Sequence, residues 1–259
     1  MKHPRSILIT GASGGIGAAL ARAYAGPDIM LMLTGRNAKR LEETVKACRL
    51  AGAEVQSAIL EITDAEGVKA WIEHVDAVRP LDLVIANAGI TGGISADGRG
   101  ETLADVQRMM SINFGGVCNV LHPVIPAMRR RRHGQLALIS SLAAIRGLPY
   151  SPAYCASKAA LKAYGEALRG WLRPDGVQVS IVFPGFVDTR LAGHVTGPKP
   201  FQISPERAAS IIRSGLSRDR PVIAFPFLLH VGIKILAVLP ASLVDPFLSA
   251  VRVDIRRYE

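Results

Sequence analysis

The chain has few residues that could form disulfides, bind a metal or stack against nucleic-acid bases. The 3 cysteines among 259 residues are too few and too scattered for a disulfide framework or a structural zinc site. The 6 histidines show no ligand spacing, so we predict no metal. Aromatic residues make up only 5% of the chain, which argues against a stacking platform for single-stranded nucleic acid. No repeat of about 20–50 residues is visible, which excludes solenoids and propellers.

A long apolar run is also missing at the N-terminus, where residues 6–10 are too few for a signal-peptide core. We therefore expect a cytoplasmic protein. Acidic residues are in deficit, with 21 Asp+Glu against 31 Lys+Arg and a formal charge of +10. The dense basic run is four consecutive arginines at 129–132, and a second cluster comprises Arg252, Arg256 and Arg257. Neither is interleaved with aromatics, so we predict no nucleic-acid partner. A solvated face is the ordinary interpretation, and an anionic membrane or an acidic substrate stays open.

Short apolar runs alternate with longer amphipathic stretches along the chain. The predicted strands are 6–10, 29–34, 55–60, 81–86, 135–139, 177–182 and 221–225. The predicted helices are 16–25, 39–51, 65–78, 103–128, 157–172 and 205–217, the last capped by Ser204. This alternation predicts an α/β fold with a doubly wound parallel sheet of about seven strands in a single domain.

A glycine-rich turn follows the first strand and opens the first helix. Its candidate binding residues are Gly11, Ser13, Gly15, Ile16 and Gly17. Glycines in that place let the backbone approach a pyrophosphate, which sits on free amides at the helix N-terminus. Glycines also simply end strands, and the spacing Gly-x-x-x-Gly-x-Gly differs from the usual dinucleotide fingerprint. The position within a strand–helix unit favours a nucleotide site.

The end of the second strand distinguishes the two nicotinamide cofactors. A carboxylate there would accept a ribose 2′-hydroxyl, whereas an arginine accommodates a 2′-phosphate. Here Arg36 occupies the turn, with Lys39 and Arg40 close behind. The sequence therefore predicts NADP(H) in preference to NAD(H). The alternative is that all three are ordinary surface charges of the second helix.

Tyr154 and Lys158 stand four residues apart, hence on one face of a helix. A nearby ammonium favours the phenolate, and lowering the phenol pKa by about two units would suit proton transfer at neutral pH. Alone this spacing arises often by chance, as a packed tyrosine with a solvated lysine. Ser141 and Asn87 each follow a predicted strand, where ligands of open α/β sheets bind. Asn113 lies within a predicted helix, where asparagine is locally unfavourable. This suggests that its amide or its local carbonyl has a functional role.

Taken in order and spacing, these residues resemble a short-chain dehydrogenase/reductase across about residues 5–225. The resemblance implies a Rossmann-like fold and a carbonyl–alcohol interconversion by hydride transfer. It implies that Tyr154 is the acid/base, that Ser141 binds the substrate oxygen, and that Lys158 lowers the tyrosine pKa and holds the nicotinamide ribose. Asn113 would support a water in the proton relay. The further cofactor contacts implied are Asn87, Ala88, Gly89, Pro184, Gly185, Val187 and Thr189.

One departure concerns the residue after the third strand, where the family commonly has an aspartate at the adenine. Here Glu61 precedes Ile62, and both are retained as candidate cofactor contacts. We expect segments 142–150 and 190–203, which are mostly apolar, to border the pocket and determine which substrate binds. They favour a lipid-like, steroid-like or acyl carbonyl, although Arg146, Arg190 and Lys199 leave a phosphorylated or carboxylated substrate open.

We divide the chain into a catalytic part, 1–221, and an apolar C-terminal extension of the same domain, 222–259. Pro226, His230, Lys234 and Pro240 interrupt its apolar run, so we do not expect it to span a bilayer. It is expected to lie on the inner face of a membrane or to contact another subunit. The resemblance also implies a dimer or tetramer built from helices 103–128 and 157–172. The rival functions are a non-catalytic nucleotide sensor or scaffold, and a reductase of carrier-bound acyl or polysaccharide-precursor substrates.

Overall fold

The computed structural model describes residues 1–94, 100–250 and 254–255, so Arg252, Arg256 and Arg257 lie outside the described residues. Seven parallel strands form one sheet in the order β3-β2-β1-β4-β5-β6-β8. The strands are β1 (Ser6–Ile9), β2 (Met30–Gly35), β3 (Glu54–Ile59), β4 (Leu83–Ala86), β5 (Gly134–Ile139), β6 (Val177–Pro184) and β8 (Val222–Phe225). This confirms the predicted doubly wound α/β sheet, and each predicted strand appears with its ends shifted by two residues or fewer.

The burial of the strands follows their place in the sheet. Every residue of β1, β2, β4 and β5 is buried, as expected for strands covered on both faces. In the edge strand β3 only Val55 is buried, and Glu54, Ser57 and Ile59 are exposed. The sheet thus buries its centre, and the edges carry the residues that meet solvent.

Helices cover both faces of the sheet. They are α1 (Gly15–Tyr24), α2 (Ala38–Leu50), α3 (Ala65–Val78), α4 (Leu103–Met110), α5 (Gly116–Arg131), α6 (Pro152–Leu172), α7 (Arg190–Gly193), α8 (Pro205–Ser217), α9 (Phe227–Val238) and α10 (Ala241–Ala250). One core cluster joins α3, α5 and α6 to the sheet, and a second joins α1, α2 and α8 to its other face. The predicted cap of α8 is present, because Ser204 Oγ accepts a hydrogen bond from the Arg207 amide at 3.1 Å.

The prediction of one continuous helix over 103–128 is wrong. A π-helical segment, Ser111–Gly115, separates α4 from α5. Asn113 sits in this segment, fully buried, and its side chain is bonded to the backbone of Ile90 rather than turned to solvent. Such π segments recur at functional sites, since they re-aim a side chain without ending the helix.

The arginine run at the end of α5 holds the helix in place and is not only a solvated face. Arg129 contacts the Asp175 carboxylate at 2.5 Å, and Arg131 contacts Asp76 at 3.3 Å. Arg132 donates to the Pro174 carbonyl at 2.9 Å. Arg131 also donates to the carbonyl of Leu81, just ahead of β4. The run therefore lies at the amino ends of the strands, opposite their carboxyl ends.

The C-terminal extension begins with strand β8, which pairs with β6. Helix α9 follows at once and then α10. A second sheet joins two short strands, β7 (Val195–Thr196) and β9 (Asp254–Ile255), antiparallel. Across the described residues, no helix has both the length and the apolarity needed to cross a bilayer.

Candidate active site

The glycine-rich turn lies at the carboxyl ends of β1 and β2. Gly11 and Gly15 have φ of +68° and +54°, a region that favours glycine. A Cβ on Gly17 would stand 2.3 Å from the Gly11 carbonyl oxygen, so the turn closes only on glycine. Ser13 packs against Gly35 at the end of β2, where an added Cβ would lie 2.9 Å from its side chain. Ile16 is partly buried against the core cluster of α1, α2 and α8.

The N-terminus of α1 offers free backbone donors. Its cap residue Gly14 makes no side-chain cap bond, and the first turn holds no acidic residue. No atom beyond the chain neighbours would lie within 4 Å of a Cβ at Gly14. An open, uncapped helix N-terminus is the arrangement that binds phosphate oxygens.

Arg36 and Glu61 face each other beyond the ends of β2 and β3. Arg36 Nη1 lies 3.6 Å from Glu61 Oε2, and both side chains are about half exposed, at 43% and 45%. Ile62 turns the other way, into the core against Gly116, and its carbonyl accepts from Asn119 Nδ2 at 3.0 Å. Of the two candidates after β3, only Glu61 therefore directs its side chain toward Arg36.

Asn87 ties the end of β4 to the glycine-rich turn. Its Nδ2 donates to the Thr10 carbonyl at 2.9 Å, and its backbone amide donates to Thr10 Oγ1 at 3.0 Å. The Ala88 amide donates to the same hydroxyl at 3.0 Å. Gly89 comes next, and a Cβ there would be 3.0 Å from Asn113 Oδ1 and 3.5 Å from Lys158 Nζ. This strand end thus joins the glycine-rich turn to the residues around Lys158.

Asn113 is linked to α6 through a residue that sequence reasoning did not assign. Asn113 Nδ2 donates to the Ile90 carbonyl and to Ser157 Oγ, both at 3.0 Å. Ser157 Oγ in turn donates to the Tyr154 carbonyl at 2.8 Å. The π segment therefore fixes the first turn of α6, which carries Tyr154. Ser157 could have been suspected, since it stands beside Lys158 in the same motif.

The two serines after β5 point in different directions. Ser140 is buried, and its hydroxyl donates to the Lys158 carbonyl at 2.9 Å. Ser141 accepts from the Ala143 amide at 3.2 Å, and its side chain is close enough to the Tyr154 hydroxyl to lower the pKa of that phenol. The structure thus brings together Ser141 and Tyr154, while Ser140 anchors the helix.

Lys158 is buried beneath Tyr154. Its Nζ donates to the Ile139 carbonyl at 2.9 Å and stands 5.9 Å from the centre of the Tyr154 ring. Burial lowers the pKa of Lys158 to about 8, because the interior disfavours its charged form. Burial likewise raises the pKa of Tyr154 to about 12, and the opposing effect of the nearby Ser141 hydroxyl is smaller. The expected lowering of the phenol pKa is therefore wrong for this arrangement: loss of solvation of the phenolate outweighs the favourable contacts.

The segment after β6 lies against the glycine-rich turn. Pro184 ends the strand, and the Gly185 amide donates to the Phe225 carbonyl at 2.7 Å. Val187 is buried. Thr189 caps α7 through its hydroxyl, and its methyl would lie 3.1 Å from a Cβ on Gly15. The segment therefore brackets the space between the turn and Tyr154.

A further residue, Glu101, was not anticipated from the sequence. Its Oε2 accepts from the Ala153 amide at 2.9 Å, which caps the otherwise uncapped N-terminus of α6. Its other oxygen is buried, without a hydrogen-bond partner among the described residues. No local motif signals this contact, because it joins residues 52 positions apart.

Beside this site lies a cavity of about 610 Å³ between the segment after β5, α6 and α10. Its lining includes Ala144, Leu148, Cys155, Ala159 and Leu248. Ser141 and Tyr154 do not line it, so the cavity adjoins the candidate active site without containing it.

The family follows from a comparison with known sequences. Residues 5–199 match the family model described as short chain dehydrogenase. The chain belongs to the short-chain dehydrogenase/reductase family. Members of this family are oxidoreductases, and the match covers the glycine-rich turn, Ser141 and the Tyr154/Lys158 pair.

Three relatives illustrate the proteins to which this chain is similar in sequence. An uncharacterized oxidoreductase of Myxococcus xanthus is 35% identical over 242 residues, covering 93% of this chain and 95% of that protein. The ketoacyl reductase HetN of a Nostoc species is 30% identical, covering 80% and 72%. The 3-ketodihydrosphingosine reductase of Bacteroides thetaiotaomicron is 32% identical, covering 75% and 70%.

Solved structures share the fold of the dehydrogenase. A short-chain dehydrogenase from Sphingobium yanoikuyae, in complex with NADPH, superposes with a TM-score of 0.78 at 22% identity, over 95% of this chain and 96% of that one. One from Mycobacterium paratuberculosis, bound to NAD, gives 0.75 at 24% identity, over 86% and 96%.

Proposed function

We propose that this dehydrogenase interconverts a ketone or aldehyde and an alcohol on a partly apolar substrate, with NADP(H) as the preferred cofactor. The observation that carries the proposal is the meeting of Ser141, Tyr154 and Lys158 at the carboxyl edge of the sheet. This edge also carries the open N-terminus of α1. The neighbouring structures support a nicotinamide dinucleotide, since one holds NADPH and another NAD.

The residues present fit such a cofactor. The turn that would hold the diphosphate closes on glycine, and its helix N-terminus has neither a side-chain cap nor a first-turn carboxylate. Arg36 lies at the end of β2, where a guanidinium can bind a 2′-phosphate in a fork. The residues we assign to cofactor binding are Gly11, Ser13, Gly15, Ile16, Gly17, Arg36, Glu61, Ile62, Asn87, Ala88, Gly89, Tyr154, Lys158, Pro184, Gly185, Val187 and Thr189. When bound, the nicotinamide supplies or accepts the hydride.

Tyr154 acts as the acid of the reduction. With a pKa of about 12 it is a protonated phenol at neutral pH, so its hydroxyl can donate to the carbonyl oxygen as negative charge develops there. Ser141 lies beside the Tyr154 hydroxyl, and we assign its own hydroxyl a hydrogen bond to that carbonyl oxygen. The Lys158 ammonium, 5.9 Å from the ring centre, favours the charge left on the phenol after transfer.

Asn113 completes the assignment. Both hydrogens of its side-chain amide are used, on Ile90 and Ser157. Its side-chain oxygen accepts from the Ile90 amide at 2.8 Å, so we assign the relay water to the backbone carbonyl of Asn113, in the π segment. In the opposite direction, oxidation of an alcohol, Tyr154 must first lose its proton, which its raised pKa disfavours.

The substrate class is inferred from the lining and from the relatives. The segments 142–150 and 190–203 are mostly apolar, and Arg146 is engaged by Asp245 at 2.9 Å. The names of two relatives describe reduction of a keto group on an acyl or sphingoid chain. We assign a ketone on a long apolar chain as the substrate. A carrier-bound acyl chain is the second candidate.

The proposal is tested by following NADPH absorbance with short and long-chain ketones, and with NADH in parallel. Turnover with NADPH that improves with chain length is expected. Binding of NADPH with no turnover on any carbonyl compound would instead identify the nucleotide-sensing alternative. No binding of either cofactor would refute the assignment of the turn.

We also propose a homo-oligomer, a dimer or tetramer built from α4, α5 and α6, as the family resemblance implies. Trp171 on α6 is half exposed, at 53%, with the Arg129 guanidinium 4.9 Å from its ring centre. Light scattering should give a multiple of the 27.6 kDa chain mass, and a monomer at assay concentration would contradict this part.

A further inference from the structure

The C-terminal helices α9 and α10 are apolar on the side that faces away from the protein. We define the tail face as Phe227, Leu228, Ile235, Val238, Leu243 and Phe247, whose side chains are each more than half exposed. On α9, Leu228, Ile235 and Val238 fall at the spacing of one helical face. Single exposed apolar residues are ordinary, but a run of this size on two successive helices marks an interaction surface.

The inner side of the same helices rests on the protein. Leu229 and Ile233 of α9 pack on the core cluster of Leu142 and Phe183. Val244 and Leu248 of α10 are buried. The helices are thus anchored by one face, and the tail face is left to a partner.

Charge selects the kind of partner. Between residues 227 and 250 the charged side chains are Lys234 and Asp245, and Asp245 is paired with Arg146 at 2.9 Å. Arg218 and Arg220 precede β8 with Asp219 between them, and the sequence after α10 holds Arg252, Arg256 and Arg257 together with Asp254 and Glu259. The chain as a whole carries +10. A second copy would bring a net charge of the same sign to the contact, whereas an anionic lipid surface has the opposite charge to the chain.

The dimensions of α9 suit the surface of a bilayer. Its 12 residues extend about 18 Å, well short of the roughly 30 Å hydrocarbon core. A helix of this length with an exposed apolar face lies in the plane of the interface, with that face among the acyl chains.

The tail helices also adjoin the candidate active site. A Cβ on Gly185 would stand 2.9 Å from Pro226 and 3.2 Å from Leu229, so α9 starts at the segment assigned to the nicotinamide. Leu248 of α10 lines the cavity of about 610 Å³ beside the segment after Ser141. That volume lies in the range of small-molecule sites.

We propose that the tail face seats the dehydrogenase on an anionic lipid surface, from which a long-chain ketone reaches the site without crossing water. The second half, delivery of the ketone to the site, rests on the proposed function, whereas the first half, binding of the tail face to lipid, does not. Both halves follow from one placement: apolar helices whose outer face is bare and whose inner face borders the site.

The test is co-sedimentation of the full-length protein with vesicles of phosphatidylcholine alone, or of equal parts phosphatidylcholine and phosphatidylglycerol. The wild type should bind the anionic vesicles, and added salt should weaken that binding. The triple variant Leu228→Ser/Ile235→Ser/Val238→Ser should bind about tenfold or more weakly, since it replaces three apolar side chains of the tail face with polar ones. Leu50→Ser/Val78→Ser is the matched control, because it removes exposed apolar side chains from α2 and α3 and should bind as wild type.

Kinetics separates the two halves. The triple variant should reduce a short soluble ketone at the wild-type rate and lose activity only on a long-chain ketone presented in vesicles. Absence of vesicle binding would overturn the lipid surface, whatever the activity. A triple variant that still binds the vesicles would also overturn the lipid surface. So would a triple variant that turns a wild-type oligomer into smaller species, because that result would identify the tail face as a subunit contact. Activity on no ketone, with vesicle binding intact, would instead refute the proposed function.

Discussion

Lys158 Nζ donates a hydrogen bond to the Ile139 carbonyl oxygen at 2.9 Å, at the last residue of β5. A buried ammonium is thereby fixed below the strand end that continues into Ser141. The contact holds the charge in place, but it does not restore the solvation that burial removes, and the pKa of Lys158 falls to about 8. The site therefore carries a charge that costs the fold stability.

The substitution Lys158→Met should separate stability from activity. It replaces a buried charge with an apolar side chain of similar length, a change that is often neutral or stabilising. We expect an equal or higher Tm at pH 7, while turnover falls about 100-fold or more, as expected when a proton-transfer group is disabled.

The pH dependence of this stability difference has a definite sign. Between pH 8 and 10.5 the unfolded chain keeps the lysine proton that the folded chain has released, so wild-type stability rises with pH across that window. Lys158→Met lacks this rise, and its advantage should shrink from pH 8 to pH 10. Thermal unfolding at a series of pH values measures it, and an advantage that grows with pH would contradict the assigned burial of charge.

The rate of reduction should depend on the same group. Tyr154, with a pKa of about 12, stays protonated through the assay range, whereas Lys158 loses its charge above about pH 8. We expect kcat/KM for reduction to be level near neutral pH and to fall above that value. A profile that stays flat to pH 10 would show that the ammonium takes no part.

Arg36 and Glu61 together should set the choice of cofactor. Arg36→Asp should weaken NADPH binding about 10–100-fold and NADH binding far less, because a charged hydrogen bond to phosphate is worth about 1.5–3 kcal/mol. Glu61→Gln should strengthen NADPH binding modestly, since the 3.6 Å contact competes for the guanidinium. Fluorescence titration measures both, with Lys46→Asp on α2 as the control of equal charge change. Equal losses for the two cofactors in Arg36→Asp would refute a 2′-phosphate contact.

Glu101 should act as a positioning residue for α6. Glu101→Ala removes the acceptor for the Ala153 amide, and loss of a helix cap costs about 1 kcal/mol. We expect a lower Tm and a lower kcat with the KM for NADPH unchanged, whereas Glu101→Gln, which keeps a carbonyl oxygen, should recover most of both. If Glu101→Ala lowers Tm without changing kcat, the cap supports the fold and not the placement of Tyr154.

Much of this arrangement could be predicted from the sequence because the fold repeats local patterns. Apolar runs and glycine punctuation placed the seven strands, and strand ends placed Asn87 and Ser141 at one edge. The π segment at Asn113 could not be foreseen, since it depends on the Ile90 backbone 23 positions away. The pKa of Tyr154 was predicted in the wrong direction because spacing along a helix shows a neighbouring charge but not the burial around it.

The central claim is that the Tyr154 hydroxyl transfers the proton and contributes little to the affinity for NADPH. Tyr154→Phe removes one oxygen and keeps the ring, so it should bind NADPH within about twofold of wild type while turnover falls about 10²–10⁴-fold. The measurement is NADPH titration and steady-state reduction of the best ketone on the same preparation. Near-normal turnover, or loss of NADPH binding in step with activity, would contradict the account.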